Sequence, residues 1–133
     1  MIFNETKYNR SWNTRSLGDL GDFSRGKSQH RPRDDKALFE NGSYPLIQTG
    51  NIAESSLYVQ EHNSEYNQYG LEQSKIWPQD TLCITIAANI AETCILSYPA
   101  CFPDSIVGFN AFPEKSSSLF VHYIFKYIKK IIQ

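Results

Sequence analysis

The chain is poor in charge, with 20% charged residues over 133, and poorer still in anything that would cross-link it or hold it in a bilayer. It contains no run of about 18 apolar residues, so no membrane-spanning helix is expected. The opening MIFNETKYNRSW lacks the apolar stretch of a secretory signal. The three cysteines are odd in number, and no Cys-x-x-Cys occurs. That argues against a disulfide framework and against a zinc ribbon. Cys83, Cys94 and Cys101 are expected as buried thiols of a cytoplasmic protein. His30, His62 and His122 lie far apart, so neither a metal nor any other cofactor is expected. Internal repeats and low-complexity tracts are also missing. What is present is 41% apolar and 14% aromatic residues, enough for one folded domain rather than a disordered tail.

The patterning predicts an α+β fold: a curved, mainly antiparallel sheet with short helices and a C-terminal helix. Short runs rich in β-branched and apolar residues, bounded by Pro, Asp, Asn or Gly, read as strands. They cover residues 21–26, 44–49, 57–59, 81–87, 93–98 and 105–109. Residues 17–20 suggest one helical turn. Asn63 or Ser64 is expected to cap a short helix stopping at Gly70. After the possible caps Ser116, Ser117 and Ser118, LFVHYIFKYIKKIIQ places His122, Lys126, Lys129, Lys130 and Gln133 at helical spacing. Lys129 and Lys130 suit the negative end of the helix dipole. The rest of that helix is apolar around most of its circumference. It either docks deep in its own core or packs on something outside this sequence.

A net charge of −1 hides a polarised chain. Residues 24–36 carry Arg25, Lys27, Arg31, Arg33 and Lys36 against Asp34 and Asp35. Residues 37–114 carry one base, Lys75, and nine acids, while residues 115–133 carry four lysines and no acid. Two basic segments thus flank an acidic body, a distribution suited to a polyanionic partner. The polar stretch 27–43 reads as a long exposed loop, and loops of that length tend to carry function. Its segment RGKSQHRPR gathers Arg25, Lys27, Ser28, Gln29, His30, Arg31 and Arg33. Arg and Lys neutralise phosphates, Arg can pair with guanine in a bidentate way, and Gln can do so with adenine. Gln48, Thr49 and Asn51 add amide and hydroxyl groups at a strand end. An ordinary solvated loop and a plain β-turn are the alternatives for these two segments.

Gly21 to Ser28 also satisfies the phosphate-binding loop pattern G-x-x-x-x-G-K-S. That motif needs a buried strand leading in and a helix leading out. Neither flank qualifies, so a nucleotide-binding protein is the weaker alternative. A Cys–His hydrolase from Cys83 or Cys101 with His62 or His122 has no support beyond residue type. Asp34-Asp35-Lys36 falls short of a metal-dependent nuclease set, and no catalytic constellation emerges.

Taken in order, the motifs resemble a family. They are Trp12, Leu17-Gly18-Asp19-Leu20, Arg25-Gly26-Lys27-Ser28, and Gly42 through Tyr44-Pro45-Leu46-Ile47-Gln48-Thr49-Gly50-Asn51-Ile52. Gly70-Leu71, Ser74 and Trp77-Pro78-Gln79-Asp80-Thr81-Leu82 follow, then Ala87 to Thr93, Pro99-Ala100-Cys101-Phe102 and Val107-Gly108. The set is similar to a target recognition domain of the DNA specificity subunit of type I restriction–modification systems. It departs from that pattern at Asn89-Ile90-Ala91, where many relatives have Gly, and at Pro103, where many have Asn. The resemblance implies a domain over 1–115 and, over 116–133, the start of a spacer or dimerisation helix that relatives continue, which suggests a truncation. It implies sequence-specific binding of duplex DNA without catalysis by this chain. Methyltransferase subunits and a motor–nuclease subunit would be its partners and act on the DNA. Arg25, Lys27, Arg31 and Arg33 would then meet mostly phosphates, with one available for guanine. Gln29, His30, Gln48 and Asn51 would be base readers. A protein interaction module that binds no nucleic acid is the remaining alternative, favoured by the acidic body.

Overall fold

The structure is a computed structural model that describes residues 19–85, 91–114 and 116–132. Trp12, Leu17-Gly18 and Ala87 to Ile90, singled out above, lie outside the described residues. So do the side chains of Lys129 and Lys130.

The β-branched runs do become strands, and they divide between two four-stranded sheets. The first holds β1 (Gly21–Arg25), β8 (Ile106–Ala111), β5 (Leu82–Thr85) and β6 (Thr93–Ile95) in that spatial order, antiparallel throughout. The second holds β3 (Ser64–Tyr66), β2 (Tyr44–Leu46), β7 (Ala100–Cys101) and β4 (Ile76–Trp77). Its β2–β7 pair is parallel and its other pairs are antiparallel. The α+β, mainly antiparallel expectation holds, with the strands in two sheets instead of one.

Side chains alternate across a strand, so β5 serves two cores at once. Leu82 and Ile84 face a cluster with Ile95, Phe109 and Val121. Cys83 faces the other way, with Cys94, Ile47, Ile52, Trp77, Phe102 and Ile106. The helix α3 (Ser118–Ile132) covers the first face, and α1 (Thr49–Ala53) packs on β5 and β6 from the second. The three thiols are free and buried, and burial pushes that of Cys101 up to about 11. A third cluster, Leu38, Leu46, Tyr66 and Cys101, fills the second sheet.

The sheets meet where Trp77 stacks on Phe102, with ring centroids 4.8 Å apart. Gly108 of β8 lies under both rings. A Cβ there would touch each within 2.8 Å, so only glycine lets them pack this closely on the strand. Lys75 Nζ sits 4.0 Å from the centre of the Trp77 ring.

Several local expectations change. The 44–49 strand stops at Leu46, and Thr49 opens α1 instead. Asn51 is the reason: its Oδ1 accepts from the Gln48 N–H at 2.9 Å and turns the chain into a helix. Neither Asn63 nor Ser64 caps a helix, because Ser64 to Tyr66 pair with β2. The helix there is α2 (Gln68–Glu72), capped by Asn67, whose Oδ1 accepts from the Gly70 N–H at 2.8 Å. It runs through Gly70 instead of stopping there. The 57–59 strand reduces to one bridge, Tyr58 to Ile95. Ser117 caps α3 by accepting from the Phe120 N–H at 3.0 Å. His122, expected on the polar face of that helix, is fully buried and bonds Thr93 Oγ1 through Nδ1 at 2.9 Å.

Candidate nucleic-acid interface

The basic loop leaves β1 along a fixed path. Gly26 N–H donates to Ile106 O at 2.8 Å, and Lys27 N–H to Phe102 O at 3.0 Å. Gln29 N–H donates to Gln73 O at 3.2 Å, and His30 N–H to Gln73 Oε1 at 2.9 Å. Ser74 Oγ donates to the Lys27 carbonyl at 2.6 Å. The inner side of the loop backbone is therefore bonded to the body. The side chains alternate, with Lys27 and Gln29 exposed and Ser28 buried. The segment after α2, Gln73 and Ser74, acts as the frame. Only the pairing of distant residues reveals that role, which the sequence reading missed.

These bonds also exclude the phosphate-loop alternative. Gly21 to Arg25 is strand β1, paired with β8, and no helix follows Ser28. The Gly26 and Lys27 N–H groups that would cradle a phosphate already donate to carbonyls.

The four loop cations are all exposed, in different states. Arg25 and Lys27 have no ion-pair partner among the described residues. Arg31 folds back, donating from NH1 to the carbonyls of Ser28 at 2.7 Å and His30 at 2.9 Å. Its guanidinium braces the turn that contains the cis Arg31–Pro32 bond. Arg33 pairs with Asp104 at 2.7 Å, a half-exposed contact of small energetic weight. His30 Nε2 lies 2.8 Å from Asp35 Oδ2. The Ala37 backbone N–H first, and the His30 ring after it, hold the Asp35 carboxyl below its ordinary range.

Gln48 and Thr49, some twenty residues further along, come to the same place. With Ser28, Arg33 and Asp34 they line a cavity of about 510 Å³, floored by Phe39, Leu46, Tyr66 and Pro103. The hollow thus brings Ser28 and Arg33 of the basic segment together with Gln48 and Thr49, while Arg25, Lys27, Gln29, His30 and Arg31 are not among its lining residues. Ser28 is 5% exposed, and its Oγ has no hydrogen-bond partner among the described residues. Asn51 is different. It is 6% exposed, with Oδ1 bonded to Gln48 N–H and Nδ2 donating to Asn63 Oδ1 at 3.0 Å. Its amide is engaged inside the fold, so the base-reading part expected of it has no exposed group to perform it. Its place is to set the position of Gln48 and Thr49.

Among the described residues, no three of His, Cys, Asp and Glu are placed to hold a metal ion. No helix among them is long and apolar enough to cross a membrane.

No curated protein sequence matches the chain. The solved structures that share its fold include the following two. The HsdS subunit from Thermoanaerobacter tengcongensis gives a TM-score of 0.66 at 14% identity, over 86% of this chain and 27% of that one. A chain from work on complex assembly and conformational transition of the type I R-M system gives 0.62 at 16% identity, over 84% and 26%. The present chain therefore spans little more than a quarter of either. The family model described as the type I restriction modification DNA specificity domain matches residues 9–133, and the protein belongs to that family.

Proposed function

We propose that this chain binds duplex DNA sequence-specifically as a target recognition domain of a type I restriction–modification specificity subunit. The observation that carries the reading is the convergence of Ser28 and Arg33 of the basic loop with Gln48 and Thr49 around one hollow. A family whose description names DNA specificity gives that convergence its meaning. Arg25 and Lys27 act as phosphate contacts because both are exposed and neither has an ion-pair partner among the described residues. Arg31 and Arg33 contribute charge from braced positions. Gln29, His30, Gln48 and Thr49 offer polar groups to base edges, Ser28 lines the hollow beside Gln48 and Thr49, and Asn51 sets the position of those two. Methylation and cleavage belong to partner subunits, a methyltransferase and a motor–nuclease, with this chain selecting the site.

The test is a titration of a random-sequence duplex with the full chain at several salt concentrations. The double variant Arg25→Gln, Lys27→Gln should bind more weakly on every sequence. Its slope of log affinity against log salt should flatten by about two units. Equal affinity and slope for the variant and the parent would rule out this loop as the DNA face.

A further inference from the structure

Tyr69 is half-exposed, at 50%, on the first turn of α2, a helix that the polar motif at 25–33 does not include. The fold joins the two. Gln73, just past α2, takes both the Gln29 and His30 N–H groups, and the Tyr69 ring stands edge-on to the His30 ring at 5.6 Å. Tyr69 Oη makes only a long 3.5 Å approach to His30 Nδ1. Part of the phenol is therefore held against His30 of the loop, and the remaining half is exposed. We propose that Tyr69 is a specificity-determining residue of the DNA face, reading a thymine through apolar contact with its C5-methyl group.

The chemistry selects that ligand. Loop residues Lys27, Gln29, His30 and Arg31 end in hydrogen-bonding or charged groups, so a rigid apolar surface is what the loop itself does not offer. In the major groove the thymine methyl is the one apolar feature that a base edge displays. A flat ring fixed beside polar readers supplies the missing contact. Insertion between base pairs would need the whole ring to stand free, whereas half of it is covered. Its contact with the His30 ring accounts for the covered half of the ring and leaves the other half to a partner.

The inference rests on the DNA-binding reading, and the test separates the two. A tight-binding duplex is selected from a randomised pool with the full chain, and each thymine is replaced in turn by deoxyuridine, which removes only the methyl. At one position the parent and Tyr69→Phe should lose about five-fold or more in affinity, while Tyr69→Ala, already weaker, should be indifferent to the replacement. Salt dependence should be the same in all three proteins. Equal sensitivity of the parent and Tyr69→Ala at every thymine would overturn the role of Tyr69 and leave DNA binding standing. Failure of the parent to enrich any sequence would overturn both.

Discussion

His122 shows how a single residue can invert its sequence pattern. Its spacing with Lys126 and Lys129 marks the polar side of a helix, yet the ring is buried, with Nδ1 on Thr93 and Nε2 without a partner among the described residues. Burial, and then the nearby Lys126 charge, push its pKa below the ordinary 6.5. The sign follows from which state takes the proton first. Above 6.5 the ring is neutral whether folded or unfolded and adds no pH dependence. As the pH falls through 6.5 the unfolded chain binds a proton that the folded ring still refuses, so stability drops until the lowered folded value is passed. Urea unfolding between pH 7.5 and pH 5 should show a steeper loss for the parent than for His122→Gln. Parallel curves would mean that the ring accepts the proton in place. Nothing in the local sequence announces this burial, because Thr93 is 29 positions away.

At the scale of elements, α3 divides sharply. Val121 is fully buried, whereas Leu119, Phe120, Tyr123 and Tyr127 are 43–58% exposed. Val121→Ala should cost roughly 2 kcal/mol through lost burial and an unfilled space. Tyr123→Ala should stay within about 0.5 kcal/mol, as a surface change does. Denaturant midpoints of the two variants check both values, and a large loss at Tyr123 would place that ring in a contact that the fold does not show. The existence of α3 and of the central strands was legible because their periodicities run over enough residues to outweigh local noise. The short elements were not. Ile47 to Thr49 read as a continuation of the strand, but one amide, Asn51, folding back on Gln48 ends it and opens a helix at Thr49. Gly70 reads as a helix end, yet it lies inside α2, and glycine stands there because a Cβ would strike the Leu38 carbonyl and the Tyr66 ring. In both cases a specific tertiary or capping contact overrides a weak propensity.

Across the whole molecule, the two sheets share one junction, Trp77 and Phe102 over Gly108. Phe102→Ala should cost about 3–5 kcal/mol. Because the junction belongs to both sheets, unfolding followed by far-ultraviolet circular dichroism and by tryptophan fluorescence should shift together. Separated transitions would show that the sheets unfold independently. The sequence by itself determined the fold class, the buried thiols, the charge polarity and the family resemblance, since these depend on composition, periodicity and motif order along the chain. Only the tertiary structure decided that strands 21–25 and 106–111 pair, which ties up the N–H groups of an apparent phosphate loop. It also decided that Asn51 turns inward and that Gln73 and Tyr69 join the basic loop. Those outcomes rest on contacts between residues tens of positions apart, and hydrogen-bond partners at that separation leave no periodic trace in the sequence.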